Sequence, residues 1–232
     1  MKKQLKKDDY WVSLSDMMTG LMVIFLFIAI SYITVVKNKT SQIENILGGY
    51  VKTKQDLHYE LKKGFEKDFK AWNIKLDSTL VIHFLDENVL FDKDKSNIKP
   101  QFANILDKFL PKYIGILLKK EFRNKIEEVR IEGHTDSDGS YLYNLELSQK
   151  RTANVLAYLR QSNFYSKLPK KDKELLDFWI TANGFSFGRT LDKSGNFTVV
   201  SGKNENQDKS RRVEFRIIPK SEEVLREIIK TK

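Results

Sequence analysis

The sequence has no cysteine and only three histidines among its 232 residues. Disulfide bonds therefore play no part in holding an exported domain together. The H-E-x-x-H pattern of zinc hydrolases does not occur, and the three histidines are His58, His83 and His134. Because so few groups are suited to nucleophilic or metal-assisted catalysis, we predict that the chain is not an enzyme and holds neither a metal nor a cofactor.

Charge is also missing from a long stretch near the N-terminus, since no charged residue lies between Asp16 and Lys37. At about 1.5 Å per residue this stretch forms a rod of about 30 Å, enough to cross the hydrocarbon core of a bilayer. It is too long for a cleaved signal peptide, so an uncleaved anchor is predicted. The nearby lysines before it are Lys2, Lys3, Lys6 and Lys7, and those after it are Lys37 and Lys39. This N-terminal excess predicts a cytoplasmic N-terminus, with the rest of the chain exported.

Asp16 stands directly before the uncharged run, with Thr19, Gly20 and Val23 at helical spacing on one face. Two interpretations are open. Asp is a good helix N-cap, and Asp16 could simply face interfacial water. Alternatively, Trp11 lies at headgroup level and Asp16 lies inside the membrane, where a carboxyl group is costly and is a candidate for ion transfer. Gly20 leaves that face bare for the approach of a second helix, which favours a buried carboxyl group.

Basic residues exceed acidic ones, giving a formal net charge of +10 and a pI of about 9.4. Such a balance raises nucleic acid as a partner. The lysines are scattered through amphipathic segments instead of forming one stripe, however, and no nucleic-acid-binding motif occurs. We therefore predict no direct nucleic-acid partner, and a basic surface suited to an anionic polymer of the cell envelope.

Between the span and about residue 72, apolar residues recur at intervals of three and four, which predicts a helical stem. Gly48-Gly49 interrupts the pattern and predicts a break or hinge. A helix with one apolar stripe packs on its own domain or on a copy of itself. The stem is therefore also a candidate dimerisation segment.

The rest of the chain predicts an α+β fold. Alternating apolar residues predict strands at about 80–84, 126–131, 178–183 and 213–217, with helices from about 98 and through 147–159. Pro111 is expected to kink or divide the first of these helices. The order strand, helix, strand, helix, strand, strand implies helices on one face of a mixed sheet. The predicted segments are a tail at 1–9, a membrane helix at 10–36, a stem at 37–75, an α/β sandwich domain at 76–220 and a short C-terminal helix at 221–232.

The loop at 133–139 reads GHTDSDG and joins a predicted strand to a predicted helix. His134, Asp136 and Asp138 alternate in it and could bind a cation, although the EF-hand pattern is absent. A polar turn with glycine at its bends is the other interpretation.

The loop and the following helix match a longer motif, in which T-D-x-x-G is followed by N-x-x-L-S and then by arginine three residues beyond the serine. The matching residues are Thr135, Asp136, Gly139, Asn144, Leu147, Ser148 and Arg151. The chain resembles the OmpA-like peptidoglycan-binding family in this motif, and the stretch SRRV at 210–213 resembles that family's late Arg-Arg strand. The likeness covers about 79–219. The chain departs from the family at 184–188, which lack the usual acidic and proline residues, and in a long polar insertion at 189–209.

This resemblance implies an OmpA-like domain that binds the peptide stem of peptidoglycan through its diaminopimelate residue. Diaminopimelate carries both ammonium and carboxylate groups. Asp136 would take the ammonium group, and Arg151 the carboxylate as a bidentate pair. Thr135, Asn144 and Arg212 would line the site or support the loop. An internal salt bridge between Asp136 and Arg151 is the alternative.

The N-terminal stretch SDMMTGLM at 15–22 is similar to the D-x-M-T/A-x-M-M segment of MotB-like flagellar stator subunits, and Asp16 falls on their ion-carrying aspartate. The stretch VIFLFIAI at 23–30, Trp72-Asn73 and Leu90-Phe91 extend the likeness. With them the chain resembles the B subunits of Zorya anti-phage defence systems more closely still, over most of its length. It implies a motor in the bacterial inner membrane, with the C-terminal domain in the periplasm and two B subunits inside a ring of five multi-span A subunits. Asp16, with Thr19 beside it, would carry the ion, a proton in the simplest case. A flagellar-type stator subunit and a passive wall tether without ion transport are the alternatives.

Overall fold

The longest element is a helix, α1, that runs from Lys7 to Phe65. The computed structural model describes residues 7–85 and 87–220, and within them α1 contains the one stretch long and apolar enough to cross a membrane. Its 59 residues give a length of about 90 Å. The large apolar side chains between Met17 and Val36 are exposed along this helix. An apolar surface of that extent is suited to lipid or to partner helices.

The predicted break at Gly48-Gly49 is wrong, because α1 continues through both glycines. Each glycine costs only about 1 kcal/mol relative to alanine in a helix, and the apolar spacing on both sides favours continuation. No atom lies within 4 Å of the position that a Cβ would take at either glycine. The pair therefore leaves a bare patch on the helix surface without ending the helix.

Thirteen shorter elements follow α1 in the described residues. They are α2 (Asp68–Ala71), β1 (Ile74–Leu76), β2 (Val81–Phe84), α3 (Glu87–Leu90), α4 (Pro100–Leu117), β3 (Ile126–His134), α5 (Tyr141–Gln161), α6 (Asn163–Lys167), α7 (Lys170–Trp179), β4 (Ile180–Gly184), α8 (Thr198–Ser201), α9 (Gln207–Ser210) and β5 (Arg212–Pro219). The predicted C-terminal helix lies outside the described residues.

The five strands form one sheet in the order β1-β2-β5-β3-β4. The pair β3–β4 is parallel and all other neighbours are antiparallel, which confirms the predicted mixed sheet. Strand β1 was not predicted, because three residues are too few to display an alternating pattern. The α+β fold class, with an apolar helix, a helical stem and then a sheet with helices, is confirmed.

One face of the sheet forms the apolar core. Phe84 from β2 and Phe215 from β5 each contact the ring of Phe109 in α4, at centroid distances of 5.0 and 4.9 Å. Helix α4 continues through Pro111. The predicted division there is wrong, since Phe109, Leu110 and Tyr113 on either side are buried and their packing outweighs the one hydrogen bond that proline removes.

The end of α1 belongs to this core. Leu57, Leu61 and Phe65 are fully buried, and the Phe65 ring lies 5.2 Å from that of Phe109. By its contacts the compact unit spans Tyr50–Ser221, and the described residues before it form a second unit. The sheet domain therefore begins about 25 residues before the predicted boundary at 76, because the last turns of the stem supply part of its core.

Candidate functional site

The turn between β3 and α5 is shaped by short polar contacts. Ser140 is the N-cap of α5, and its hydroxyl accepts a hydrogen bond from the backbone N–H of Tyr143. Gly139 has a φ of +88°, a left-handed conformation that favours glycine. The side-chain amide of Asn144 donates to the carbonyl oxygens of Asp138 and Ser140, at 2.6 and 3.2 Å. Asn144 therefore holds the turn.

Helix α5 lies very close to the ends of β3 and β4. A Cβ added to Gly184 would lie 2.5 Å from the backbone nitrogen of Gln149, and one added to Gly133 would lie 2.8 Å from the carbonyl oxygen of Ser148. Only glycine allows this approach. It brings the residues of α5 beside the loop that follows β3.

These elements enclose a small cavity of about 40 Å³. It is lined by Lys93, Asp94, Thr135, Asp136, Asp138, Asn144, Leu147, Arg151 and Arg211. Such a volume accommodates only a few water molecules. Four of the five residues predicted for peptidoglycan binding, Thr135, Asp136, Asn144 and Arg151, are brought together here.

Asp136 forms its ion pair with Arg211, whose Nη1 lies 2.5 Å from Oδ2 of the carboxylate. The other carboxylate oxygen of Asp136 accepts a hydrogen bond from the backbone N–H of Asp138 at 3.2 Å. Nη2 of Arg211 lies 2.7 Å from Oδ1 of Asp208, which is exposed at the rim. Arg211 thus places a cationic group on the carboxylate that was predicted to bind an ammonium group.

Arg151 is held by backbone carbonyl groups from the loop after α3. Its Nε donates to Lys95 O at 2.9 Å and its Nη2 to Asp92 O at 3.2 Å. The guanidinium carbon lies 5.0 Å from the centre of the Phe91 ring. These contacts fix the plane of the guanidinium group at the cavity wall.

Arg212 does not line this cavity. Of the two roles that the resemblance implied for it, lining the site and supporting the loop, the structure does not show the first. Its Nε donates to Oε1 of Glu214 at 2.6 Å and its Nη1 to Ser210 O at 2.9 Å. Arg212 is the first residue of β5, whereas Arg211 lies between α9 and β5 and lines the cavity. The Arg-Arg pair was visible in the sequence, but the residue that faces the cavity is Arg211.

The sheet face opposite the apolar core carries a buried network of charges. Glu132 accepts hydrogen bonds from Arg189 and Arg216, and Glu214 accepts from Arg212, Arg216 and His83, with distances of 2.6–3.3 Å. Buried charges are tolerated when each is paired and hydrogen-bonded in this way. Alternation along β3 and β5 places all the acidic members on this face.

Glu132, His134 and Glu214 are, among the described residues, the one group of three or more whose potential metal-ligand atoms all lie within 4.8 Å of one another. Every carboxylate oxygen of the two glutamates already accepts a hydrogen bond from an arginine or from His83. Three guanidinium groups supply the positive charge that a metal would bring. The donor set therefore fits an internal salt-bridge network better than a metal centre.

His134 does not turn toward the loop with Asp136 and Asp138. Its ring stacks on Phe185 at 5.2 Å, and Nε2 lies 3.6 Å from Glu214 and 3.8 Å from Glu132. Burial lowers the pKa of His134, so the ring is neutral at pH 7. The three alternating residues thus do not converge on a loop cation site.

We expect Glu214→Gln to lower the free energy of unfolding by about 3 kcal/mol at pH 7, because it removes one partner from a buried ion-pair network. Burial raises the pKa of Glu214, but His134, His83 and Arg212 lower it more strongly and hold it well below its usual value. Its stabilising effect is therefore present above the unfolded pKa of about 4.3 and is lost as the pH falls. The difference from the unsubstituted chain should shrink by more than about 1 kcal/mol at pH 3.

The measurement is urea unfolding of the full chain in detergent, followed by tryptophan fluorescence at both pH values. Glu146→Gln is the control, since Glu146 is exposed and, within the described part of the chain, forms an ion pair with Lys150 alone. That change should cost less than about 0.5 kcal/mol. A cost for Glu214→Gln as small as that of the control, or one that stays constant down to pH 3, would contradict the role assigned to the network.

The stretch at 184–188, GFSFG, matches the G-x-S-x-G pattern of serine hydrolases, and the prediction that the chain is not an enzyme left this match out of account. Ser186 has a φ of +52° and is fully buried. Its hydroxyl donates to Tyr141 O at 2.8 Å, and its backbone N–H donates to Oγ of Ser148 at 3.1 Å. A buried hydroxyl held by a carbonyl group is not placed to attack a substrate. The serine instead joins the turn to α5.

Asp16 and Thr19 lie on one face of α1, and both are exposed. Helix α1 includes Lys7, so Asp16 is about two and a half turns inside the helix and is not its N-cap. The N-cap interpretation is thereby excluded. The hydroxyl of Thr19 donates to Ser15 O at 2.8 Å, a contact within the helix.

Comparison with known proteins places these features in a family. The sequence profile of the OmpA family matches residues 90–212. Zorya protein ZorB of Escherichia coli (strain ATCC 8739) is 34% identical over 98% of this chain and 97% of its own length. ZorB of Escherichia coli O139:H28 is 28% identical, covering 90% of this chain and 79% of its own. The periplasmic domain of Helicobacter pylori MotB is a similar solved structure, with 15% identity, a TM-score of 0.43, and coverage of 65% of this chain and 84% of that one. The chain belongs to the ZorB family of Zorya proteins, and its residues 90–212 form an OmpA-family domain.

Proposed function

We propose that the chain is the peptidoglycan-anchored B subunit of an ion-driven rotary motor in the bacterial inner membrane, which acts in anti-phage defence. The observation that carries the proposal is the combination, in one ZorB-family chain, of a candidate membrane span bearing Asp16 and a domain whose motif residues meet in one charged cavity. The membrane span alone fits a simple anchor, and the OmpA-family domain alone fits a wall-binding module. Together they fit an ion carrier that is fixed to the cell wall.

The cavity is suited to a group that carries both charges. Asp136 offers a carboxylate, and Arg151 offers a guanidinium group whose plane is fixed by backbone carbonyl groups. The hydroxyl oxygen of Thr135 is buried and has no hydrogen-bond partner among the described residues. A buried polar group of this kind is available to a ligand. Diaminopimelate of the peptidoglycan stem, with its ammonium and carboxylate groups, matches this set.

Binding requires a rearrangement, because the cavity is small and Arg211 is bonded to Asp136. The ligand's ammonium group would replace the guanidinium group of Arg211 on the Asp136 carboxylate. Arg211 would remain paired with Asp208 at the rim, while Arg151 takes the ligand's carboxylate. Asn144 keeps the loop in place throughout.

In the membrane, Asp16 would bind and release the ion, with the hydroxyl of Thr19 beside it. The exposed face of α1 is suited to partner helices, which a ring of five multi-span A subunits around two B subunits would provide. An ion that crosses in two steps gains about 2.3 kcal/mol per charge for each 100 mV of membrane potential. Anchoring the B subunits to the wall prevents them from turning with the ring. The N-terminus would be cytoplasmic and the OmpA-family domain periplasmic.

Co-purification tests the assembly. When the full chain is extracted from membranes of cells that carry the whole defence system, a multi-span subunit should accompany it in a ratio of about five to two. Native mass spectrometry of the complex gives that ratio, and the soluble fraction of the same cells is the control for chance association. Recovery of the chain alone would instead favour a passive wall tether.

A further inference from the structure

A second concave site lies on the charged face of the sheet, and we call it the sheet-face pocket. It has a volume of about 690 Å³ and is lined by residues of β1, β2 and β5 together with residues of the polar insertion at 189–209. A volume of this size is typical of a small-molecule site. None of its described lining residues belongs to the 40 Å³ cavity beside Asp136, and the insertion is a departure from the OmpA-like pattern. The wall-binding motif therefore does not account for this pocket.

Strand register brings cationic groups together on this face of the sheet. Lys75 of β1 is the cross-strand partner of His83, and His83 is the partner of Glu214. Residues directly opposite each other in antiparallel strands have their side chains on the same face, so these three form one row. Arg212 and Arg216 lie two positions from Glu214 on either side and share that face. All five residues line the pocket.

His83 is positively charged in this row. Its Nδ1 lies 3.0 Å from Oε1 of Glu214, and its Nε2 lies 3.1 Å from Oδ2 of Asp77. An ionised carboxylate only accepts hydrogen bonds, so both ring nitrogens must donate, and both do so only in the imidazolium form. Burial lowers the pKa of His83, but the hydrogen bonds to Asp77 and Glu214 raise it more strongly, so that the pKa lies above its usual value.

The pocket therefore has more positive than negative charge. Its cationic side chains are Lys75, His83, Lys209, Arg212 and Arg216. Its acidic side chains are Asp77, Asp208 and Glu214, and each already pairs with a cation of the protein. Lys75 and Lys209 pair with no carboxylate in the described part of the chain, and the ammonium group of Lys209 donates to Lys193 O. Five cations against three acids leave an excess of two positive charges, which an anionic ligand would balance.

The insertion supplies an apolar part of the lining. Leu191 and Phe197 line the pocket and are partners in an isolated antiparallel bridge. The turn between them is fixed, because Oδ1 of Asp192 accepts from the backbone N–H groups of Ser194 and Asn196, at 2.8 and 3.0 Å. The side chain of Phe197 nevertheless remains 41% exposed. An aromatic ring that is held in place without being buried offers apolar area to a ligand.

We propose that the sheet-face pocket binds a phosphate monoester that carries an apolar body. A monoester has a charge of about −1.5 to −2 at pH 7, which matches the excess of positive charge, whereas a carboxylate would balance only one charge. Lys75 and Lys209 would bind the phosphate oxygens as point charges. The apolar body would cover Leu191 and Phe197. A lipid headgroup and a soluble ester share this chemistry, and the shape of the apolar body separates them.

Ligand-observed NMR tests the proposal, with phenyl phosphate as the probe. The full chain is kept in dodecyl maltoside, a non-ionic detergent without aromatic protons, and saturation transfer to the phenyl ring is followed against probe concentration. We expect phenyl phosphate to bind at least about tenfold more tightly than phenol, or than inorganic phosphate measured by displacement of the probe. Hexyl phosphate, measured by the same displacement, should bind more tightly than phenyl phosphate if the natural ligand is a lipid, and more weakly if it is a soluble aromatic ester.

Two substitutions should each weaken the binding of phenyl phosphate. Lys75→Gln removes one of the two excess charges at an exposed position, and a loss of about tenfold is expected. Phe197→Ala removes the ring from the apolar lining and should weaken binding about fivefold. The second variant keeps the proposal testable if the first fails to fold.

Lys120→Gln is the matched control, because Lys120 is an exposed lysine after α4 that does not line the pocket. It should bind phenyl phosphate as the unsubstituted chain does. Lys75→Gln should still sediment with peptidoglycan, so failure of this site is distinguishable from failure of wall binding. Absence of saturation transfer with phenyl phosphate in the millimolar range would overturn the proposal. Binding that neither Lys75→Gln nor Phe197→Ala weakens would overturn it as well.

Discussion

Replacing Asp16 with asparagine should abolish protection against phage while leaving the amount of chain in the membrane unchanged. Asparagine preserves the size of the side chain and the helix, but it cannot bind and release a proton or pair with a cation. A relay that depends on a single carboxyl group has no substitute for it within the span, since no other charged residue occurs between Asp16 and Lys37. The measurement is the efficiency of plating of a susceptible phage, with membrane fractionation of the same cells.

Two control variants sharpen this result. Asp16→Glu keeps the acid on a longer side chain and should retain part of the protection. Ser15→Ala removes a neighbouring hydroxyl group but keeps the backbone carbonyl of residue 15, which accepts the hydrogen bond from Thr19. It should therefore leave protection intact. If Asp16→Asn protects cells as well as the unsubstituted chain does, ion transfer through this residue is refuted and the wall-tether alternative gains.

Local patterns in the sequence are enough to predict most of the sheet and part of the cavity. Apolar alternation identifies β2, β3 and β5, because one face of each strand is buried in the core. Asn144 and Arg151 are seven residues apart, so they share one face of a helix. That both residues lie beside the Asp136 carboxylate is what the resemblance to the OmpA-like family implied, since helical spacing does not show what the shared face contacts.

Glycine and proline mislead the prediction of where helices end, for a physical reason. Gly48-Gly49 and Pro111 each reduce local helix stability, yet both lie inside continuous helices. The glycine pair costs about 2 kcal/mol, which cooperative helix formation with its neighbours exceeds. At Pro111 the cost is about 3 kcal/mol, and the packing of the buried residues on either side exceeds it. A single sequence shows the local cost but not the packing that opposes it.

Long-range pairings could not be predicted at all. Arg211 and Asp136 are 75 residues apart, and Arg216 and Glu132 are 84 apart. Alternation shows only that a strand has a polar face, and it does not show which strand lies next to it. The order β2-β5-β3, which creates the charge network, depends on a crossover that local patterns do not reveal.

The cavity itself is tested most directly by Asp136→Asn, which should reduce co-sedimentation of the full chain with purified peptidoglycan sacculi by about tenfold or more. A charge-assisted hydrogen bond between a carboxylate and an ammonium group contributes about 1.5–3 kcal/mol, and asparagine retains only the neutral part of it. The turn should survive, because the amide oxygen can still accept from the N–H of Asp138 as Oδ1 of Asp136 does. The readout is the sedimented fraction of detergent-solubilised chain over a range of sacculus concentrations.

Asp208→Asn provides the matched control. Asp208 pairs with the same arginine as Asp136, but its side chain is 87% exposed at the rim and does not line the cavity. Loss of sedimentation in both variants would assign the effect to the position of Arg211, whereas loss in Asp136→Asn alone assigns it to the carboxylate that meets the ligand. If Asp136→Asn sediments as well as the unsubstituted chain, Asp136 serves only its internal pair with Arg211, and the wall must be bound elsewhere on the domain.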